Sequence, residues 1–212
     1  MIMRNVILVI LTAVIFSGCA KRLTEIKKSD LKNQLAAMVK TDQVAAFRWE
    51  KQWDDYKDSV FTAHQVQVEK LFKQYGYLGF DKVGKDGSDN FWLIVQHCDK
   101  FPGFQKKVLR AMDKEVQKKN ANPKNYAYLY DRVEVNAGHK QLFGTQVEYD
   151  VAKTGRAFVK NGLTDSVNVD ILRKKYDLNP LKEYLNIMTT MHYEMNKARY
   201  QGMGITKPSL YE

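Results

Sequence analysis

Apolar residues recur every three or four positions at Leu31, Leu35, Met38 and Val39, a spacing that predicts a helix with one buried face to about Lys40. Ser29 or Asp30 can cap its start. The pattern continues through Val44, Phe47 and Trp49, with Asp42 as a place for a break. A second helix is predicted over WDDYKDSVFTAHQVQVEKLFKQYG, where Val60, Phe61, His64, Val68, Leu71 and Phe72 share a face and Gly76 closes it. The next stretch, YLGFDKVGKDGSDN, carries three glycines among Asp and Asn and reads as a loop, with Ser88 or Asp89 capping the element after it.

FWLIVQHCDKFPGF opens with five apolar residues that suit a buried helix or a buried strand. Length favours a helix to Lys100, after which Pro102 starts another over GFQKKVLRAMDKEVQKKN. Asn122, Pro123 and Gly138 mark both ends of a helix over NPKNYAYLYDRVEVNAG. β-formers flank Lys153-Thr154-Gly155 and predict a hairpin, while Asp165 to Tyr176 and Pro180 to Tyr200 read as helical. No repeat or low-complexity segment interrupts the chain. The fold class predicted is mainly α (α+β): a single helical domain with one small antiparallel β-hairpin.

The first residues carry a different pattern. Arg4 precedes an apolar run from Val6 to Phe16, and Ser17 and Gly18 lead to Cys19. That run is shorter than the roughly 20 residues a spanning helix needs, so it reads as an export signal. Its end, FSGC, resembles the lipobox of bacterial lipoproteins, which implies cleavage before Cys19 and its acylation by chains such as palmitate. Residues 1–18 are then the signal peptide, 19–29 a polar tether and 30–212 the α-rich domain. Ala20, rather than Asp, follows the cysteine, which in the Gram-negative sorting rule permits transfer to the outer membrane. The expected location is the bacterial cell envelope, lipid-anchored at the outer membrane and facing the periplasm, with the membrane itself a partner through Cys19.

Removing the first 18 of 212 residues leaves 194, ample for one core, with Cys98 the one remaining thiol and no internal disulfide to help. Arg4 leaves with the signal, so 33 basic residues face 24 acidic ones, near +9. The lysines are scattered and never interleave with aromatics, so a nucleic-acid partner is not expected.

None of the four histidines, His64, His97, His139 and His192, stands in a pair that one helix could offer to zinc. No metal or cofactor is expected, although a set built across elements from His64, His97 and Asp131 is geometrically open. Cys98 lies about 100° around a helix from His97 and reads as a core cysteine rather than a nucleophile. His97 shares a helical face with Leu93, Ile94, Phe101 and Phe104, which makes it either a satisfied core histidine or a base in a cleft.

YGYLGFDKVGKDGS, WLIVQHCD, AYLYDRVEVNAG, QLFGTQ and LNPLKEYL, in this order, resemble a bacterial domain family of unknown function. Its members read Gly-Trp-Pro, then Gln-His-x-Asp, Leu-x-Asp-Arg-Val and Tyr-Gly-Thr-Gln, with an upstream Met and Asp-Gln that match Met38, Asp42 and Gln43. Leu78, Cys98 and Phe143 depart from that pattern. The resemblance implies a polar set of Gln96, His97, Asp131, Arg132, Gln141 and Gln146 with Asp42 and Gln43, and no reaction. Two arrangements stay open. In one, the set lines a cleft in which His97 is a general acid or base oriented by a carboxylate such as Asp131. Arg132 then holds an anionic group, and Gln96 and Gln146 bind amides or hydroxyls of a small-molecule or envelope ligand, as in a hydrolase or group transferase. In the other, it is a hydrogen-bond network that fixes helix packing in a binding or scaffolding lipoprotein.

Overall fold

The computed structural model describes residues 23–47 and 50–212. The signal, Cys19, the next three residues of the tether and Trp49 lie outside them. Helix α1 (Glu25–Ala46) is followed by a short 3-10 turn (Lys51–Trp53), then α2 (Asp54–Tyr75), α3 (Phe80–Gln96), α4 (Pro102–Gln117) and α5 (Pro123–Asn136). A hairpin of β1 (Val147–Tyr149) and β2 (Ala157–Val159) precedes α6 (Val169–Lys175), α7 (Leu181–Met195) and α8 (Lys197–Gly202). The mainly helical single domain with one hairpin is as expected.

Local chemistry sets many of these boundaries. Asp54 and Asp55 in the first turn of α2 favour its positive end, and Gly76 at φ 69° closes its other end. Asn122 accepts from the amide of Lys124 at 3.0 Å and Pro123 fits the first turn of α5. The strands pair antiparallel with Glu148 opposite Phe158. Thr189 of α7 accepts from the amide of Ala157 at 2.9 Å, tying the hairpin to that helix.

Other boundaries depart from expectation. α1 begins at Glu25, earlier than Ser29 or Asp30, because Thr24 accepts from the amide of Lys27 at 3.2 Å. It runs unbroken through Asp42, whose carboxylate turns to other helices instead of competing for its own backbone. The glycine-rich stretch is largely α3 rather than a loop. Gly84, at φ 70° and ψ 176°, kinks the helix after its first turn, a conformation that side chains resist. Gly87 is there for closeness, since a Cβ would come within 2.7 Å of the Cβ of Val83. α3 stops at Gln96, short of Lys100, with His97 leaving helical geometry at φ −86° and ψ 0°, and Phe101, held extended before Pro102 at φ −124° and ψ 60°, opens α4. α6 starts at Val169 rather than Asp165, whose side chain accepts from the amides of Val167 and Asn168 in a turn. The last predicted helix divides at Asn196 into α7 and α8.

The main core lies among α1 to α5, where Leu31, Leu35, Phe91, Ile94, Met112 and Leu129 are buried. A smaller cluster of Ala127, Phe143 and Leu178 joins α5 to the C-terminal part. Among the described residues no helix is long and apolar enough to cross a membrane. Phe91 has no exposure and meets the ring of Tyr77 edge to face at 5.5 Å. Phe91→Ala is therefore expected to cost about 3–5 kcal/mol, read as a lower denaturant midpoint with the helical circular-dichroism signal retained below it.

Candidate functional site

Three helices bring three side chains to one point. Asp42 from α1 is fully buried and accepts at Oδ1 from Nδ1 of His97, the residue that ends α3, at 2.6 Å. Its Oδ2 faces Nδ1 of His64 from α2 at 3.5 Å, and Gln43 donates to Oδ1 at 3.2 Å. Burial pushes the Asp42 carboxyl up. The hydrogen bonds from His64 and His97, the attraction of His97 and the Gln43 amide outweigh it and hold the group below its ordinary value. An imidazole whose Nδ1–H is given to an ionised carboxylate keeps a lone pair on Nε2. Phe61 of α2 stacks on the His97 ring at 5.0 Å and 30°, fixing its plane.

His97 forms part of the wall of a pocket of about 390 Å³ between α2 and the α3–α4 turn. Around it stand Lys57, paired with Asp54 at 3.0 Å, and Lys100, paired with Asp58 at 2.5 Å, with Thr62 contributing a hydroxyl. Asp99 lines the same pocket and is held from behind. Arg132 donates Nε to its Oδ1 at 2.8 Å and Nη2 to its Oδ2 at 2.5 Å, and Asn136 and Gln105 add bonds at 2.9 and 3.2 Å. Burial opposes the charge of Asp99, but the Arg132 fork and its neighbours hold the carboxyl low. The anion expected at Arg132 is thus supplied by the chain itself. Gln96 enters through its carbonyl, which accepts from Gln105 at 3.2 Å.

Asp131 does not orient His97, and this expectation is corrected. Its two oxygens accept from the amides of Leu142, Phe143 and Thr145 at 2.9, 3.1 and 2.9 Å and from the Thr145 hydroxyl at 2.9 Å. Burial pushes this carboxyl above its ordinary value despite the four donors. The reason lies in helix geometry: Asp131 and Arg132 are neighbours on α5, so their side chains diverge by about 100°. Arg132 reaches the end of α3 while Asp131 reaches the loop after α5. That loop is also gripped by buried Arg173, which donates to the carbonyls of Phe143 at 2.6 Å and Asn179 at 2.7 Å and lies over the Tyr184 ring. Gln141 donates to the carbonyls of Gln146 and Lys160 at 2.7 and 2.6 Å and accepts from the Gln146 amide at 2.8 Å. Gln146 donates to the Thr145 hydroxyl at 3.2 Å. Asp131, Gln141 and Gln146 shape the hairpin base and do not line the His97 pocket.

The expected polar set therefore divides in two. Asp42, Gln43 and His97 meet, with Arg132 joined to the same pocket through Asp99. Asp131, Gln141 and Gln146 form a separate network. Sequence reasoning missed Phe61, Lys57, Lys100 and Arg173, and weighed His64 only as a metal ligand. The helical spacing of Phe61 and His64, three residues apart, placed them on one face and was the available signal.

No group of three or more His, Cys, Asp or Glu is arranged to hold a metal among the described residues. Cys98 is buried and donates to the carbonyl of Ile94 at 3.4 Å, and burial, reinforced by the charges of Asp42 and Asp99, pushes its thiol up to about 12. It is a core residue. His139 pairs with Glu134 at 2.8 Å, and His192 stacks on Tyr149, each away from the pocket.

The chain belongs to a family of unknown function (DUF6624), whose profile matches residues 29–196. That span holds every residue of both networks. No curated protein and no solved structure matches it.

Asp42 and Asp99 are both held low in the folded chain, so the unfolded chain takes up protons first as the pH falls. Their contribution to stability is complete above the ordinary value of 3.8 and is lost as the pH falls through the folded values. Asp131, shifted upward, opposes this just above 3.8. Denaturant melts at stepped pH are expected to show a steep acid limb, shallower in Asp42→Asn, whereas an unchanged limb would remove Asp42 from this role.

Proposed function

We propose that this protein is a lipid-anchored envelope protein whose pocket carries out acid–base chemistry, hydrolysis or group transfer, with His97 as general base and Asp42, in place of Asp131, as the orienting carboxylate. The observation that carries this reading is the 2.6 Å contact between Asp42 and Nδ1 of a histidine that lines an open pocket. A buried carboxylate fixes the ring's tautomer and stabilises the imidazolium formed when Nε2 takes a proton. The acceptor Nε2 takes its proton from a water or a substrate hydroxyl. Water is the favoured nucleophile, because Cys98 is buried with its thiol held protonated and Thr62 has no base bonded to it among the described residues. Lys57 and Lys100 offset negative charge developing beside His97.

The second reading is a scaffold: an envelope binding lipoprotein in which the same residues fix helix packing. It is favoured by Asp131, Gln141 and Gln146, all spent on backbone groups of their own chain. Attachment to the membrane through Cys19 is common to both.

Turnover of ester, amide and phosphoester probes by the folded protein separates them. His97→Asn and Asp42→Asn are expected to fall by about 100-fold or more while remaining folded. Variants that fold and turn over like the parent, or no turnover of any probe by the parent, favour the scaffold. Cys19→Ser is expected to move the protein from the membrane to the soluble fraction, and its persistence in the membrane would count against the acyl anchor.

A further inference from the structure

Asp42 has no exposed surface, so no water can satisfy its carboxylate and every acceptor site depends on a protein donor. Oδ1 has two such donors, His97 and Gln43. Oδ2 has one among the described residues, Nδ1 of His64 at 3.5 Å. The bond is long, yet it works with the hydrogen bond and the charge of His97 to hold the Asp42 carboxyl below its ordinary value. A carboxylate bonded at one oxygen alone can turn about its last side-chain torsion, and the oxygen facing His97 turns with it.

His64 and Phe61 lie three residues apart on α2 and share a face. Phe61 stacks on the ring of His97, while His64 reaches the carboxylate that the ring bonds. One face of one helix therefore fixes both halves of the pair, ring plane and carboxylate plane. His64 does not line the pocket and is buried, with only 7% of its side chain exposed, so a ligand cannot meet it directly.

We propose that His64 is a positioning residue for the acid–base pair: by donating to Oδ2 it holds Oδ1 on Nδ1 of His97 and so keeps Nε2 unprotonated and turned to the pocket. This rests on the reading of His97 and Asp42 as that pair. It predicts that the tautomer of one histidine is set by another bonded to the same carboxylate.

The test is nitrogen NMR of the full chain with ¹⁵N-labelled histidines, at a pH where the imidazoles are neutral, His97 being assigned by its loss in His97→Asn. In the parent, Nδ1 of His97 is expected at a protonated position and Nε2 well separated at a bare one. His64→Leu is expected to bring the two shifts together, as the tautomers mix. His64→Asn, whose amide takes the place of the Nδ1 donor, is expected to restore the separation. An unchanged His97 spectrum in His64→Leu overturns the proposal. Should His64→Leu not fold, His64→Gln serves instead, because its amide falls nearer the Nε2 position. Separated shifts with Asn and merged shifts with Gln support the proposal, and identical spectra for the two overturn it. No turnover is needed, so a failure of His97 as a catalyst shows in the probe assays and leaves this measurement to be read alone.

Discussion

A carboxylate with no access to water must find its donors inside the protein, and Asp42 finds them in Gln43 beside it, in His64 of α2 and in His97 at the end of α3. Breaking such a buried charged contact by removing one partner costs about 3–5 kcal/mol, because the other is left uncompensated. That constraint sets how α1, α2 and α3 lie together. Burial of the apolar face of Leu31, Leu35 and Met38 is non-directional, whereas the contacts of Oδ1 with His97 and of Oδ2 with His64 carry direction. The constraint also determines where the pocket opens, since the end of α3 and the first half of α2 both form its wall.

Carboxylates tie elements together twice more downstream, one of them, Asp131, equally buried and the other, Asp99, open to the pocket. Asp99, just past α3, is held by Arg132 of α5, and Asp131 of α5 is held by the loop that leads to the hairpin. The motif residues therefore serve one another in sequence: Asp42 with His97, Asp99 with Arg132, Asp131 with Phe143 to Thr145. The first two pairings each pass over a helix, α1 to the end of α3 and the end of α3 to α5, and the third ties α5 to the loop after it. Arg173 completes the last of them from the opposite side, so the loop gives its amides to an anion and its carbonyls to a cation.

Features held by local sterics were legible in the sequence. Gly76, Pro102, the Asn122-Pro123 start and the turn after β1 place boundaries through backbone geometry that nearest neighbours decide. The beginning of α3 was not legible, because Gly84 and Gly87 look like loop glycines until Val83 is seen against one of them. The site was half legible. His97 and Asp42 are both among the residues the motif suggests, but 55 positions separate them and no periodicity links them. The pairing of His97 with Asp131 could have been doubted from sequence alone. Neighbours on a helix diverge by about 100°, so Asp131 and Arg132 could not both turn to the end of α3.

Of the three carboxylates, only one is placed to exchange a proton. The partners of Asp131 are peptide amides and a hydroxyl, which hold their protons across the physiological range, and burial even pushes its own carboxyl up. Asp99 faces a guanidinium, which is permanently charged. Asp42 alone, held ionised, faces imidazoles, each of which has a second ring nitrogen besides the one turned to the carboxylate. A structural role accounts for every donor around Asp131 and Asp99. Around Asp42 it accounts for His64 and for Nδ1 of His97, but among the described residues it assigns nothing to Nε2, on the residue that the pocket exposes. If this domain has a chemistry, the unassigned nitrogen is where the fold leaves room for it.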